Sequence, residues 1–325
     1  MVPFEFHRAQ DDKGAIQTAR GGARFLAGGT TLVDLMREHI EQPAALVDIN
    51  RLPHRRIEMT ARGLEIGALA RMSDVAADRR IAASYPVIVE SLLASASPQI
   101  RNMASVGGNL LQRTRCTYFR DPGVDCNKKQ PGSGCPARAG VHRTHAIFGA
   151  SEECVATHSS DLAVALVALD AVVRVRGDAG DRHIPLTELY RLPGKTPHLE
   201  HTLRADEMIV RIDIPAGAHT SRSLYLKVRD RESYEFALVS VATALHVDGG
   251  VIRAARVAAG GVGTTPWRLR RVEEALVGRE SSARVWRDAA MRAGEGARPL
   301  TDNAFKVELL KRTVVRALEQ VGGRV

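Results

Sequence analysis

All four cysteines of this 325-residue chain lie between Cys116 and Cys154, three of them in the stretch CTYFRDPGVDCNKKQPGSGC. That stretch is rich in Gly, Pro and charge, and it shows neither the period of a strand nor that of a helix. The chain therefore divides into periodic regions on either side of an irregular loop, and something other than secondary structure has to order the loop. The spacing is C-x9-C-x8-C-x18-C. Two disulfides would need an oxidising compartment. A structural zinc site normally shows C-x2-4-C pairs, which are absent. An iron–sulfur cluster takes four thiolates and accepts them from a long loop. The residues alone leave all three readings open. Arg113, Arg115, Arg120, Lys128, Lys129, Arg138 and Arg143 surround the thiols against only Asp121 and Asp125. Those cations, and the N–H groups of Gly132, Ser133 and Gly134, would favour an anionic cluster. His142, His145 and His158 are nearby and read as polar surface.

The flanking regions are α+β with mixed sheets. EFHRA, RFLAG and ALVDI read as strands around the helix TLVDLMREHI, a β-α-β start. RRIEMT and GLEIGA read as a hairpin turning at Arg62-Gly63. MSDVAADRRIAA reads as a helix capped by Ser73, and SYPVIVESLLASAS as another. DEMIVRIDIP is a strand ending at a proline. PAGAHTS, at 215–221, reads as a domain boundary. Beyond it SLYLKV, ALVSVATALHV and VIRAARVAAGGV read as antiparallel strands. WRLRRVEEAL, RVWRDAAMRA and VELLKRTVVRALEQV read as amphipathic helices.

Two glycine segments are built to meet an anion. LAGGTTLVDL turns at Gly28-Gly29 and enters a helix through Thr30-Thr31, where free N–H groups and the helix dipole favour phosphate. ASVGGNLL repeats the logic with Ser105, Gly107, Gly108 and Asn109. Neither is a P-loop or G-x-G-x-x-G, so a Rossmann site is not supported. Two separate clamps suit an extended dinucleotide. In HSSDLAVAL, Ser160 and Asp161 read as a helix cap that could also accept hydrogen bonds from ribose hydroxyls.

Composition narrows the function. The net charge is +9 (46 Lys and Arg, 37 Asp and Glu), but aromatics make up only 4%. Stacking platforms for single-stranded nucleic acid are therefore scarce, and no nucleic-acid partner is expected. The N-terminus lacks a signal-peptide pattern, and the apolar run LAVALVAL is too short to span a bilayer.

LAGGTTL, QIRNMASVGGNL, SDLAVALVALDA, DEMIVRIDIP and LKVRDRESYEFALVSVA occur in this order. The set resembles the FAD-binding medium subunit of the molybdenum hydroxylases, the xanthine dehydrogenase and CO dehydrogenase group, over nearly the whole chain. With QRTRCTYFR, CNKKQPGSGC and a later cysteine it is similar to the FAD subunit of three-subunit, periplasmic-type aldehyde oxidoreductases. The flavin subunit of 4-hydroxybenzoyl-CoA reductase is similar in having an inserted loop. The resemblance implies an FAD-binding PCMH-type domain of two α/β subdomains over 1–218, with an iron–sulfur insertion at 113–154. A CO dehydrogenase flavoprotein C-terminal-like domain would follow over 219–325. It implies FAD and a [4Fe-4S] cluster as cofactors, the latter on Cys116, Cys126, Cys135 and Cys154.

The flavin would lie on Leu26, Ala27, Gly28, Gly29, Thr30, Thr31 and Leu32 with Ser105, Gly108, Asn109 and Leu111. Ser160 and Asp161 would hold the ribose, and Lys227 and Ile209 the isoalloxazine end. The family's Pro-Ser-Asp stands here as Ser159-Ser160-Asp161. No catalytic residue is expected on this chain: substrate oxidation would occur on a large molybdenum-cofactor subunit. Electrons would arrive through a small [2Fe-2S] subunit and leave to a protein or quinone acceptor, with the basic loop suiting an acidic carrier. The complex would be cytoplasmic, or periplasmic by co-export with a partner. A self-contained flavin oxidase and a zinc-stabilised binding module are the competing classes.

Overall fold

The computed structural model describes residues 1–323. The β-α-β start forms a parallel three-stranded sheet of Glu5–Arg8, Ala45–Asp48 and Arg24–Leu26, in that spatial order. Glu5 pairs with Ala45, and Leu26 with Asp48. The helix Asp12–Arg20 makes the crossover. Asp11 caps it by accepting from the Gly14 N–H, and Ala15, Ile16 and Ala19 are buried. This arrangement aims the end of the second strand, and the glycine segment after it, at the rest of the molecule.

A second sheet is antiparallel throughout, in the order Ile57–Thr60, Gly63–Gly67, Met208–Pro215, Val172–Gly177, Gly180–Pro185. The Arg62-Gly63 turn needs its glycine, because Gly63 has φ +137° and a Cβ there would lie 2.8 Å from the Pro215 carbonyl carbon. The helix expected from a Ser73 cap is two helices, Met72–Ala77 and Arg79–Ser84. Arg71 holds the first cap position and Ser73 lies within the first turn. Asp78 ends the first helix and caps the second by accepting from the Arg80 N–H. A carboxylate that competes for backbone N–H groups breaks a helix in this way.

The third sheet is also antiparallel, in the order Trp267–Arg268, Val251–Gly260, Val239–Asp248, Ser223–Val228. Among the described residues no single sheet is mixed, which corrects the sequence expectation. The helix read from Trp267 begins only at Arg270, because Trp267 and Arg268 pair with Ala259 and Ala258. The long helix Phe305–Gly322 packs on strands Val239–Asp248 and Ser223–Val228, around Leu310, Val314, Ala317 and Leu318.

The helix Asp161–Ala168 lies between the helix Pro86–Leu93 and the third sheet. All eight of its residues are buried. A helix that is apolar all round is buried on every side, and each of its large side chains contributes roughly 1.5–3 kcal/mol as an upper estimate. A Cβ on Gly260 would come within 2.6 Å of Val164 Cγ2, so the missing side chain sets how closely helix and sheet approach. Ser160 and Asp161 consequently open at the junction of the N-terminal region and the C-terminal sheet. Among the described residues no helix is long and apolar enough to cross a membrane.

Candidate functional site

The two glycine segments, far apart in sequence, touch. Gly28 is pressed against Met103 and Ala104, immediately before Ser105: a Cβ on it would lie 2.8 Å from the Met103 carbonyl carbon and nearer still to its oxygen. Arg71 donates to that same carbonyl. Gly29 takes φ +73°, and the Ala27 carbonyl accepts from Asn50 Nδ2 at 2.8 Å. Thr31 precedes the helix Leu32–Arg37 without a side-chain cap bond, so its hydroxyl is not used within the turn. In the second segment Ser105 Oγ accepts from the Gly108 N–H at 3.2 Å. Gly107 packs on Ala68, and Gly108 is exposed. The freedom from Cβ at Gly28 and Gly107 thus serves backbone-to-backbone packing, while Gly29 and Gly108 leave the ridge open.

The ridge continues to the junction. Ser160 Oγ donates to Asn109 Oδ1 at 2.6 Å and accepts from the Ala163 N–H at 2.9 Å. Next to it, the buried Asp161 carboxylate accepts from Tyr225 Oη at 2.5 Å, Lys227 Nζ at 2.8 Å and Ser95 Oγ at 3.0 Å. Burial and the Asp161 charge push the Tyr225 hydroxyl well above its ordinary value, so it stays a donor. Lys227 and Asp161 were expected at opposite ends of a flavin nucleotide; the ion pair puts them at one place. Tyr225 was missed, although it stands two residues before Lys227 in one strand and so shares its face. Ile209, paired with Val175, points to the face of its sheet that packs on the core and is 6% exposed. Leu111 is partly buried and lines a small cavity beside Cys154.

A cavity of about 210 Å³ opens at this junction, lined by Cys116, His145, Ser160, Asp161, Phe236 and Gly261. It therefore links the cysteine segment to the Asp161 cluster. All four cysteines are unpaired thiols. They come from four separate points of the loop, yet Cys116, Cys135 and Cys154 each have other thiols of the set near enough to oppose their ionisation by charge. Burial, then its neighbours Cys126 and Cys135, push Cys116 up to about 11. Burial, with Cys135 and Cys116, pushes Cys154 up to about 12. The backbone N–H groups of Tyr118 and Phe119 face Cys116, those of Val155, Ala137 and Arg138 face Cys135, and that of Ala156 faces Cys154. The expected donors are engaged elsewhere: Gly132 and Gly134 donate to Asn127 Oδ1, and Ser133 to the Gln130 carbonyl. Among the described residues no three Cys, His, Asp or Glu side chains form a group that could hold a single metal ion.

The loop's positive charge is also spoken for. Arg113 pairs with Glu41 and Glu200, Lys128 with Glu200, Arg115 with Asp34, and Arg120 with Asp34 and Glu38. Arg138 pairs with Glu152 and Arg143 with Asp230, while Lys129 donates to the Tyr118 and Asp121 carbonyls. The basic face expected to attract an acidic carrier is a set of internal ion pairs that fasten the loop to the helix Leu32–Arg37 and to the 197–200 turn. Burial opposes ionisation of Glu200, but the Arg113 and Lys128 cations hold it down to about 2, below its ordinary 4.5. A depressed carboxylate stabilises the fold above its unfolded value and loses that contribution as pH falls through the folded one. Glu200→Gln is therefore expected to lose about 3 kcal/mol at neutral pH, the low end for removing one partner of a buried ion pair. Its deficit should shrink between about pH 4.5 and about pH 2. Urea midpoints measured across that window read the effect, and a constant deficit would exclude the linkage.

The FAD binding domain in molybdopterin dehydrogenase matches residues 3–217, and the CO dehydrogenase flavoprotein C-terminal domain matches residues 224–321. The chain belongs to the FAD-binding subunits of the molybdenum hydroxylases. It is 45% identical to the aldehyde oxidoreductase FAD-binding subunit PaoB of Escherichia coli K12, over 98% of each chain. It is 24% identical to the glyceraldehyde dehydrogenase medium chain of Sulfolobus acidocaldarius, over 99% of this chain and all of that one. Its fold is that of CO dehydrogenase from Oligotropha carboxidovorans (TM-score 0.78, 22% identity, full coverage of both chains). Quinoline 2-oxidoreductase from Pseudomonas putida 86 shares it too (TM-score 0.76, 23% identity, 99% and 97% coverage). This flavin subunit therefore pairs a family scaffold with the cysteine loop described above.

Proposed function

We propose that this flavin subunit is the electron-transfer subunit of an aldehyde-oxidising molybdenum enzyme, and that its four cysteines carry a [4Fe-4S] cluster beside the flavin. The observation that carries the reading is the cavity that Cys116 shares with Ser160 and Asp161. The two redox groups would have one wall in common. The aldehyde substrate class comes from similarity to PaoB, and the partners would be a large molybdenum subunit and a small [2Fe-2S] subunit.

The residues present fit both groups. A single ion would draw its thiolates to within about 4 Å of each other, whereas a four-iron cluster spreads them over the corners of a cube. Thiols brought from four points of one loop, three of them facing backbone N–H donors, suit the second. Leu26 to Leu32 and Ser105 to Asn109 would hold the pyrophosphate through open backbone. Asp161, fixed by Tyr225, Lys227 and Ser95, would orient the flavin end that enters the cavity. When bound, the flavin and the cluster supply the exchange of electrons in pairs and singly. The chain's own task is to bind them, keep water out and hold their separation. Anaerobic purification with an absorption spectrum and counts of iron, zinc and flavin tests the reading. Four irons and one FAD per chain are expected. FAD without iron would remove the cluster, and zinc without FAD would overturn the whole assignment.

A further inference from the structure

Lys306, in the first turn of the helix Phe305–Gly322, is fully buried at 0% exposure. Its Nζ donates to the carbonyls of Thr144 at 2.8 Å, His145 at 3.0 Å and Gly261 at 2.8 Å. Those three residues line the cavity that Cys116 and Asp161 share. The ammonium thus sits one backbone thickness behind the cavity wall. Among the described residues it has no carboxylate at ion-pair distance, and three acceptors call for the three N–H groups of the charged form, since a neutral amine has only two.

The other charges facing the cavity are balanced. Asp161 pairs with Lys227, Arg115 with Asp34, Asp230 with Arg143 and Glu235 with Arg231. Lys306 therefore adds, directly behind the cavity wall, a positive charge that no carboxylate pairs. Fastening the wall does not by itself need a cation: Asn303 Nδ2 already bridges the His145 and Ala146 carbonyls as a neutral donor. Burial, with the nearby Arg143, draws Lys306 down to about 7, so the ammonium is held against a cost and is fully present only below neutral pH.

We propose that Lys306 is a positioning residue of the redox site: its ammonium, held behind the cavity wall by Thr144, His145 and Gly261, is the fixed positive charge that favours the reduced, more negative state of the cofactor bound there. In a poorly solvated interior a fixed charge acts across several ångströms with little screening. The inference rests on the reading that the flavin end enters this cavity.

The test is a spectroelectrochemical titration of the full-length chain, purified anaerobically, as wild type, Lys306→Gln and Lys306→Arg. Gln keeps two donors and loses the charge; Arg keeps the charge. Flavin and iron are counted first. A wild type without flavin fails the functional reading itself, and the inference with it. With flavin present, the expected result is a lower midpoint potential in Lys306→Gln and a potential close to wild type in Lys306→Arg. A wild-type potential in Lys306→Gln, or an equal fall in both variants, would overturn the charge role. Where Lys306→Gln does not fold, Lys306→Arg decides alone: an unchanged potential supports the proposal and a lowered one overturns it. Failure of both variants to fold assigns Lys306 to structure only and overturns it as well.

Discussion

Gly28→Ala is expected to empty the flavin site while leaving the cysteine loop's own sequence untouched. The new Cβ would lie 2.8 Å from the Met103 carbonyl carbon and 3.0 Å from Ala104 Cα, closer still to the Met103 oxygen. These are backbone atoms. Met103 is held by Arg71, and the Ala104 carbonyl accepts from the Met72 N–H at 3.0 Å, so neither yields easily. Relief comes only by moving the first glycine segment away from Ser105 and breaking the ridge on which both clamps lie. Overpacking of this kind costs about 1–3 kcal/mol, and each 1.4 kcal/mol taken from binding is roughly tenfold in affinity. Flavin per chain, read from the visible absorbance after gel filtration, should fall at least tenfold. Gly123→Ala is the control, because its Cβ would meet only the Asp121 side chain at 3.4 Å. Full flavin retention in Gly28→Ala would show that the two segments do not act as one clamp.

If the proposed cluster is bound, Cys126→Ser is expected to remove its iron and to weaken the flavin as well. The sequence alone argues for independence, since the glycine clamps lie elsewhere in the chain. The structure argues for coupling. Cys126, 8% exposed, packs with Phe119 and with Leu35 of the helix that follows the first glycine segment. Arg115 and Arg120 hold Asp34 of that same helix. A hydroxyl in place of the thiol meets apolar neighbours there and costs about 1–3 kcal/mol if it finds no partner. That is transmitted to the clamp as a roughly tenfold loss of flavin affinity. Iron analysis and flavin release by dilution measure the two effects on one sample. Iron retained at the wild-type level would take Cys126 out of the ligand set. Iron lost with flavin affinity unchanged would show that the loop and the clamp are separable after all.

What the sequence determined by itself is local and periodic. The short apolar, valine- and leucine-rich runs in SLYLKV, ALVSVATALHV and VIRAARVAAGGV are enough to identify the antiparallel C-terminal strands. LAVALVAL, apolar on every side, identifies a helix that must be buried, and Ser160 is legible as its cap. The glycine segments and the four cysteines stand out as candidate sites because Gly, Ser, Asn and Cys have narrow physical uses. The tertiary structure decided everything that depends on which distant surfaces meet. Gly28 reads as an approach to ligand, yet its missing side chain accommodates Met103. The loop's cations read as an exposed basic face, yet Glu41, Asp34, Glu38 and Glu200 neutralise them from elsewhere in the chain. Lys227 and Asp161 read as the two ends of a ligand, yet they form one ion pair. Lys306 stands just before the stretch that reads as an amphipathic helix and carries no signal of its own, yet it lies fully buried behind the cavity wall. Charge pairing and close packing act between neighbours in space, and a linear pattern specifies only neighbours along the chain.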